Sequence, residues 1–304
     1  MRVSIIGQAA FGEAVFKRLS GVDGVEVGCV SAPMQESRPD ALWAAAQAAG
    51  VPMVSMAALK TEDGLSQWTK SAGDISIMAF VTDILPESVF GAARFGTIQY
   101  HPSLLPAYRG MSSINWPIIF GESETGVTVF WPDAGIDSGP ILLQKRCAIG
   151  PDDTVGSLYF ERLFPMGVEA IAEAVAMVAA GNAPRLEQDH RLATNQPPCG
   201  DKHAQIPWYG PADRVYSLIR GCNPQPGAWT TFRGETIRIF DCRLQSAPEA
   251  GASGRILRVD EEGFDVRLNG GILRVTRVQA AGQKKVGAGE WAESVGLVAG
   301  NRLR

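Results

Sequence analysis

The chain has 304 residues and a formal net charge of -4; 45% of its residues are apolar and 20% charged. This balance fits a folded protein with one large core or two ordinary ones, and it excludes a chain held on nucleic acid or anionic membrane by its overall charge. The opening "MRVSIIGQAAFGEAV" has too short an apolar run for a signal peptide, and no later run could span a bilayer, so a cytoplasmic protein without membrane attachment is expected.

In chain order, "RVSIIG" reads as a strand and "QAAFGEAVFKRLSG" as a helix with Phe11, Val15, Phe16 and Leu19 on one face. "VEVGCVSA" follows as a strand, "PDALWAAAQAAG" as a helix closed by Gly50, and "VPMV" as a short strand. "DISIMAF" and "GTIQYH" are two more strands joined by a helix in "ILPESVFGAA". Strands and helices alternating at these lengths predict an α/β domain with a Rossmann-like open parallel sheet. "SSINWPIIFGES" reads as a helix, and "TGVTVFWPD" and "SGPILLQKRCAI" as β runs separated by "AGID". "DTVGSLYFERLFPMGVEAIAEAVAMVAAG" reads as one long helix, capped near Asp153 and stopped at Gly181, that closes a first domain over 1–181.

Residues 182–203 are rich in Pro, Gln and Asn and predict a linker, in which His190 and His203 are expected at the surface. From 204 to 304 a short helix, "GPADRVYSLIRGC", precedes runs alternating with period two. Turns are expected at Arg233-Gly234, Glu262-Gly263 and Asn269-Gly270-Gly271, as in a smaller OB-like antiparallel β-barrel domain. The arginines spaced through these strands suit either a binding face or a solvated sheet.

Five scattered cysteines without a CxxC pair indicate neither a disulfide framework nor a zinc site, and a histidine among scattered carboxylates makes no metal ligand set. "GQAAFG", Gly7 to Gly12, stands where a dinucleotide fingerprint would. Ala9 replaces its middle glycine, however, so no NAD(P) is expected, and Gly7 and Gly12 are assigned to the tight turn and to helix packing.

The chemistry is expected elsewhere. His101 ends the strand "GTIQY", where ligands collect in open α/β sheets; Gln99, two residues earlier, leaves the same face. Asp137 lies in the turn "DAGIDSGP". An amide, an imidazole and a carboxylate that converge could stabilise an oxyanion and take a proton from an attacking amine or water. The plainer alternative is that His101 ends its strand and Asp137 makes its turn, with no chemistry.

"HPSLLPAYRG", "INW" and "GVTVFWPDAGIDSGPILLQK" resemble the signature of the folate-dependent formyltransferases, a family that includes methionyl-tRNA formyltransferase and the hydrolase domain of 10-formyltetrahydrofolate dehydrogenase. "IIGQAAFG", "ILP", "PDDTVGSLYFERLFPMGVEAIAEAV" and "IRGCNPQPGAW" extend the resemblance over nearly the whole chain. It implies 10-formyltetrahydrofolate as formyl donor, His101 as catalytic histidine and Asp137 as the aspartate that tunes it. Gln99 stands where the transferases usually have asparagine on the formyl oxygen. The resemblance further implies that Asp83, Ile84 and Leu85 lie against the pterin, largely through backbone groups, with Asp133, Ala134, Gly135 and Ile136 as the other wall. Ser103, Leu104, Leu105 and Pro106 would lie beneath the formyl group, and Arg109 and Gly110 on the acceptor side. "SAPMQESRPDALWAAA" lacks the basic insertion with which the tRNA enzymes grip their substrate, so water or a small amine is the expected acceptor. Transfer to tRNA or to an amino sugar nucleotide stands second.

Overall fold

In the computed structural model the described residues are 1–34, 39–247 and 253–304. Residues 35–38, within the stretch expected to lack a basic insertion, lie outside them. The chain forms two compact units, one of residues 1–113, 125–147 and 160–196, the other of 114–124, 148–159 and 197–304.

The first unit is built on β1 (Arg2–Gly7), β2 (Glu26–Ala32), β3 (Met53–Ser55), β4 (Ile75–Ala79), β5 (Thr97–His101), β6 (Glu124–Phe130) and β7 (Ile141–Ala148), in the sheet order β3-β2-β1-β4-β5-β6-β7. The pairs β1–β2, β1–β4, β2–β3 and β4–β5 are parallel, whereas β6 runs antiparallel to β5. The expected parallel sheet therefore holds through β5 and ends there. β6 is buried from Thr125 to Phe130, and an apolar run covered on both faces reads alike in either direction.

Helices α1 (Ala9–Ser20), α2 (Ala41–Ala48), α3 (Glu62–Ser71) and α4 (Glu87–Phe90) fill the connections; the last is a single turn where a longer helix was expected. A Cβ at Gly7 would collide with the Ala79 carbonyl, and one at Gly12 would lie 3.0 Å from Leu42, so both glycines serve close packing. The Ala9 N–H is bonded to the Asp40 carboxylate at 2.7 Å, and the other carboxylate oxygen caps α2 at Leu42 N.

The long helix expected from Asp153 is broken. α5 (Asn115–Phe120) precedes it in the chain; α6 (Val155–Leu158) starts at a capping box between Thr154 and Ser157, and a π-helical stretch, Tyr159–Leu163, leads into α7 (Phe164–Ala179). Pro165, in the first turn of α7, has no N–H for the carbonyl one turn back, which accounts for the widened turn ahead of it. On α7, Gly167 lies against the Tyr100 ring, and Phe11 stacks on the same ring at 4.3 Å. Tyr100 is thereby fixed on one face of β5, which turns its neighbours Gln99 and His101 to the other.

In the second unit, α8 (Ala212–Gly221) packs on α5, whose Asn115 donates to the carbonyls of Gly221 and Gln225. The β runs are β8 (Ala228–Phe232), β9 (Glu235–Ile239), β10 (Cys242–Ser246), β11 (Ile256–Asp260), β12 (Gly263–Leu268), β13 (Gly271–Val275), β14 (Arg277–Ala280) and β15 (Val286–Gly287). They form two four-stranded sheets, β10-β13-β12-β11 and β15-β14-β9-β8, with antiparallel pairing. Turns fall at the expected positions, with positive φ at Arg233, Gly234, Gly263 and Gly270. A helix that the sequence did not suggest, α9 (Ala288–Val295), lays Trp291 against Phe232 and Phe264. Arginines of these strands meet carboxylates: Arg274 binds Asp260 and Asp265, Arg258 binds Asp260, and Arg238 binds Asp201. These three arginines are thus paired within the unit. Among the described residues no helix is long and apolar enough to cross a membrane, and no cluster of His, Cys, Asp and Glu has the makings of a metal site.

Candidate active site

The site lies at the carboxyl end of β5. His101 Nδ1 is 3.4 Å from Asp137 Oδ2, and the two side chains are only 7% and 10% exposed. His101 Nε2 is 2.8 Å from the Tyr108 carbonyl oxygen. A carbonyl can only accept, so Nε2 carries a hydrogen and proton exchange falls to Nδ1, the nitrogen beside Asp137. The backbone oxygen thus orients the ring, and the carboxylate stands beside the nitrogen that exchanges the proton. No signal in the sequence marks that acceptor.

Asp137 is held in turn. The Gly110 N–H donates to Oδ2 at 2.8 Å, and the backbone of Asp137 is left-handed at φ 51°, a region Asp tolerates better than most residues with a Cβ. Its loop closes where the Trp131 N–H meets the Pro140 carbonyl. Asp133 serves the same loop: its Oδ1 accepts from Gly135 N and Ser138 Oγ. Ala134, Gly135 and Ile136 are exposed beside it, Ile136 at 69%.

Gln99 is half-buried between Met78 of β4 and Phe130 of β6, on the His101 side of its strand. The turn after His101 is pinned from β6 and β7. Thr128 Oγ1 donates to the Ser103 carbonyl and accepts from Leu105 N, and Gln144 donates to the Leu105 carbonyl. Ser103 is fully buried with its hydroxyl on the Ala107 carbonyl, Leu105 is core, and Leu104 and Pro106 are half-buried. Of the other loop, Asp83 pairs with Lys60 at 2.7 Å, Ile84 is 88% exposed and Leu85 is buried in the core with Val89. Side-chain packing thus accounts for Leu85 and Leu105, whereas Ile84 and Ile136 present apolar surface to solvent.

Arg109 is buried. Its Nη2 donates to Gln188 Oε1 at 2.7 Å and lies 3.1 Å from His190 Nδ1. Gln188, Thr194 and Asn195 all come from the polar stretch 182–203. Thr194 bonds Tyr108 N, Arg109 N and the Pro106 carbonyl, and Asn195 bridges Arg109. The composition that suggested a linker therefore reflects hydrogen bonding along the loop 106–110. His190 is exposed as expected, and His203 is half-buried.

A pinned imidazole and a carboxylate at a strand end, with an amide on the same face and, among the described residues, no serine or cysteine bonded to them, suit direct group transfer rather than a covalent enzyme intermediate. The formyl transferase family model matches residues 4–175, and that of the formyl transferase C-terminal domain residues 200–296. The chain belongs to the formyl transferase family. It is 35% identical over 260 residues to cytosolic 10-formyltetrahydrofolate dehydrogenase of Homo sapiens, covering 83% of this chain but 29% of that protein. The chain thus spans under a third of the length of that relative. It is likewise 35% identical to methionyl-tRNA formyltransferase of Moorella thermoacetica, covering 87% of this chain and 85% of the relative. An N-formyltransferase from Helicobacter canadensis, solved with folinic acid and dTDP-3-aminofucose, shares the fold. Its TM-score is 0.67 at 17% identity, over 91% of this chain and 98% of that one. An enzyme of the formyl transferase family accounts for both units of the chain.

Proposed function

We propose that this family member moves the formyl group of 10-formyltetrahydrofolate to water or to a small amine, with His101, Asp137 and Gln99 as its catalytic residues. The observation that carries the reading is the buried contact of His101 Nδ1 with Asp137 at the end of β5. The attacking nitrogen or oxygen adds to the formyl carbon and gives up its proton to His101 Nδ1. The carbon–N10 bond then breaks as N10 takes that proton from His101, and tetrahydrofolate leaves with formate or a formamide as the other product. Asp137 stabilises the ring while it is charged, and the Gln99 amide offers a hydrogen to the oxyanion of the tetrahedral intermediate.

The folate donor would lie between the loops at Asp83 to Leu85 and Asp133 to Ile136, where Ile84 and Ile136 leave apolar surface for a flat ring. The Ser103 to Pro106 turn would form the floor, and Arg109 and Gly110 the acceptor side. The sequence between Ser31 and Ala46 has one arginine, and Arg238, Arg258 and Arg274 of the second unit are paired with aspartates, which favours a small acceptor over tRNA.

The match to a methionyl-tRNA formyltransferase over 87% of this chain and 85% of that relative favours charged initiator tRNA as the second reading. An acceptor screen decides between them: the chain is incubated with 10-formyltetrahydrofolate alone, with an amine panel that includes amino sugar nucleotides, and with charged initiator tRNA. Tetrahydrofolate release with formate or a small formamide is the expected result. Formylation of the tRNA alone would replace this reading with the second, and no tetrahydrofolate in any arm would end both.

A further inference from the structure

We propose that Gln188 is a positioning residue for this chemistry: through one side-chain amide it holds both the backbone of Asp137 and the guanidinium of Arg109. The proposal rests on the assignment of His101 and Asp137 made above. Gln188 is 4% exposed and uses its whole amide. Nε2 donates to the carbonyl oxygens of Asp137 at 2.9 Å and Gly139 at 2.7 Å, while Oε1 accepts from Arg109 Nη2 at 2.7 Å. The orientation of the amide follows from its partners, since two carbonyls require the NH₂ end and a guanidinium requires the oxygen.

The contact that sets the Asp137 carboxylate is the Gly110 N–H, one residue from Arg109. Gln188 therefore ties together the two segments that make this contact, one on each side. Asp137 sits in the left-handed region at φ 51°, and Gln188 holds its carbonyl there. A leucine in place of Gln188 would leave two carbonyls and a buried guanidinium without their bonds. A glutamate would keep Arg109 and turn a carboxylate on the carbonyls.

The test uses Gln188→Leu, Gln188→Glu, Asp137→Asn and a double variant that combines Gln188→Leu with Asp137→Asn. Both Gln188 substitutions are expected to lower kcat for tetrahydrofolate release by about 10- to 100-fold, the loss that follows a small misplacement of a reacting group. KM for 10-formyltetrahydrofolate and binding of 5-formyltetrahydrofolate are expected to stay within about threefold of wild type. If Gln188 acts through Asp137, adding Gln188→Leu to Asp137→Asn costs less than about threefold further. Multiplying losses in the double variant, or kcat retained in a folded Gln188→Glu protein, would overturn the proposal; Gln188→Glu also reads the effect should Gln188→Leu not fold. If the wild type itself releases no tetrahydrofolate, the functional reading has failed, and hydrogen exchange at the Gly110 amide tests the positioning claim alone. Faster exchange in Gln188→Glu supports it and unchanged exchange refutes it.

Discussion

His101 donates to a carbonyl with one nitrogen and sets the other beside a carboxylate, so the ring is held by the backbone before any substrate arrives. His101→Ala is expected to slow tetrahydrofolate release by about a hundredfold or more, the contribution of a positioned proton-transfer group. Affinity for 5-formyltetrahydrofolate, followed by tryptophan fluorescence, should barely change. Gln99→Leu removes the proposed oxyanion donor and is expected to cost about a hundredfold in kcat. Turnover unchanged in either variant would place the chemistry elsewhere. A histidine before proline at a strand end and an Asp-Ser-Gly turn single out His101, Asp137 and Gln99 as candidates in one dimension, but spacing alone left a plain strand end and turn equally open, and the resemblance to the formyltransferases supplied their expected roles. The Tyr108 carbonyl, Thr128, Gln144 and Gln188 were not legible, because a main-chain oxygen has no letter and amides or hydroxyls in a polar run resemble solvent-facing residues.

Among the elements, α7 and β5 meet at Gly167, where a Cβ would run into the Tyr100 ring. Gly167→Ala, which would favour an isolated helix, is here expected to destabilise the chain by about 1–3 kcal/mol through overpacking. A lowered Tm in calorimetry is the check. At the β11–β12 turn, Arg274 above all, with the Gly263 and Glu262 amides, holds the Asp260 carboxyl down to about 2. A depressed carboxylate stabilises the fold above its unfolded value of about 4 and loses that contribution as pH falls toward the folded value. Asp260→Asn should therefore lower Tm at pH 7, and the gap from wild type should shrink between about pH 4 and pH 2. Helices α3 and α9 escaped the sequence reading for a shared reason. In α3 only Gly64 and Trp68 are buried, and α9 begins with small residues and no side-chain cap, so neither has a broad apolar stripe.

For the molecule as a whole, the paired arginines of the second unit carry a prediction that separates catalysis from nucleic-acid binding. Fluorescence anisotropy with a labelled single-stranded RNA at physiological salt is expected to show no saturation below about 10 μM, the range of nonspecific electrostatic binding or weaker. Tight binding would mean that the arginines are available despite their aspartate partners. The division into units also belongs to this scale. Residues 114–124 and 148–159 belong with the C-terminal part of the chain although they lie well before it in sequence. Local periodicity gives no hint of such an exchange, because it reports which face of a segment is buried and never against what.

The sequence by itself determined the alternation of strands and helices and the antiparallel second half with its glycine turns, and it put forward His101, Asp137 and Gln99 as candidates for the proposed chemistry. Those features are written in short-range patterns of apolar spacing, turn residues and rare side chains. Only the tertiary structure decided the reversed direction of β6 and the use of the polar stretch around Gln188 to brace the loop that holds Asp137. These depend on partners tens of residues apart, which local spacing cannot encode.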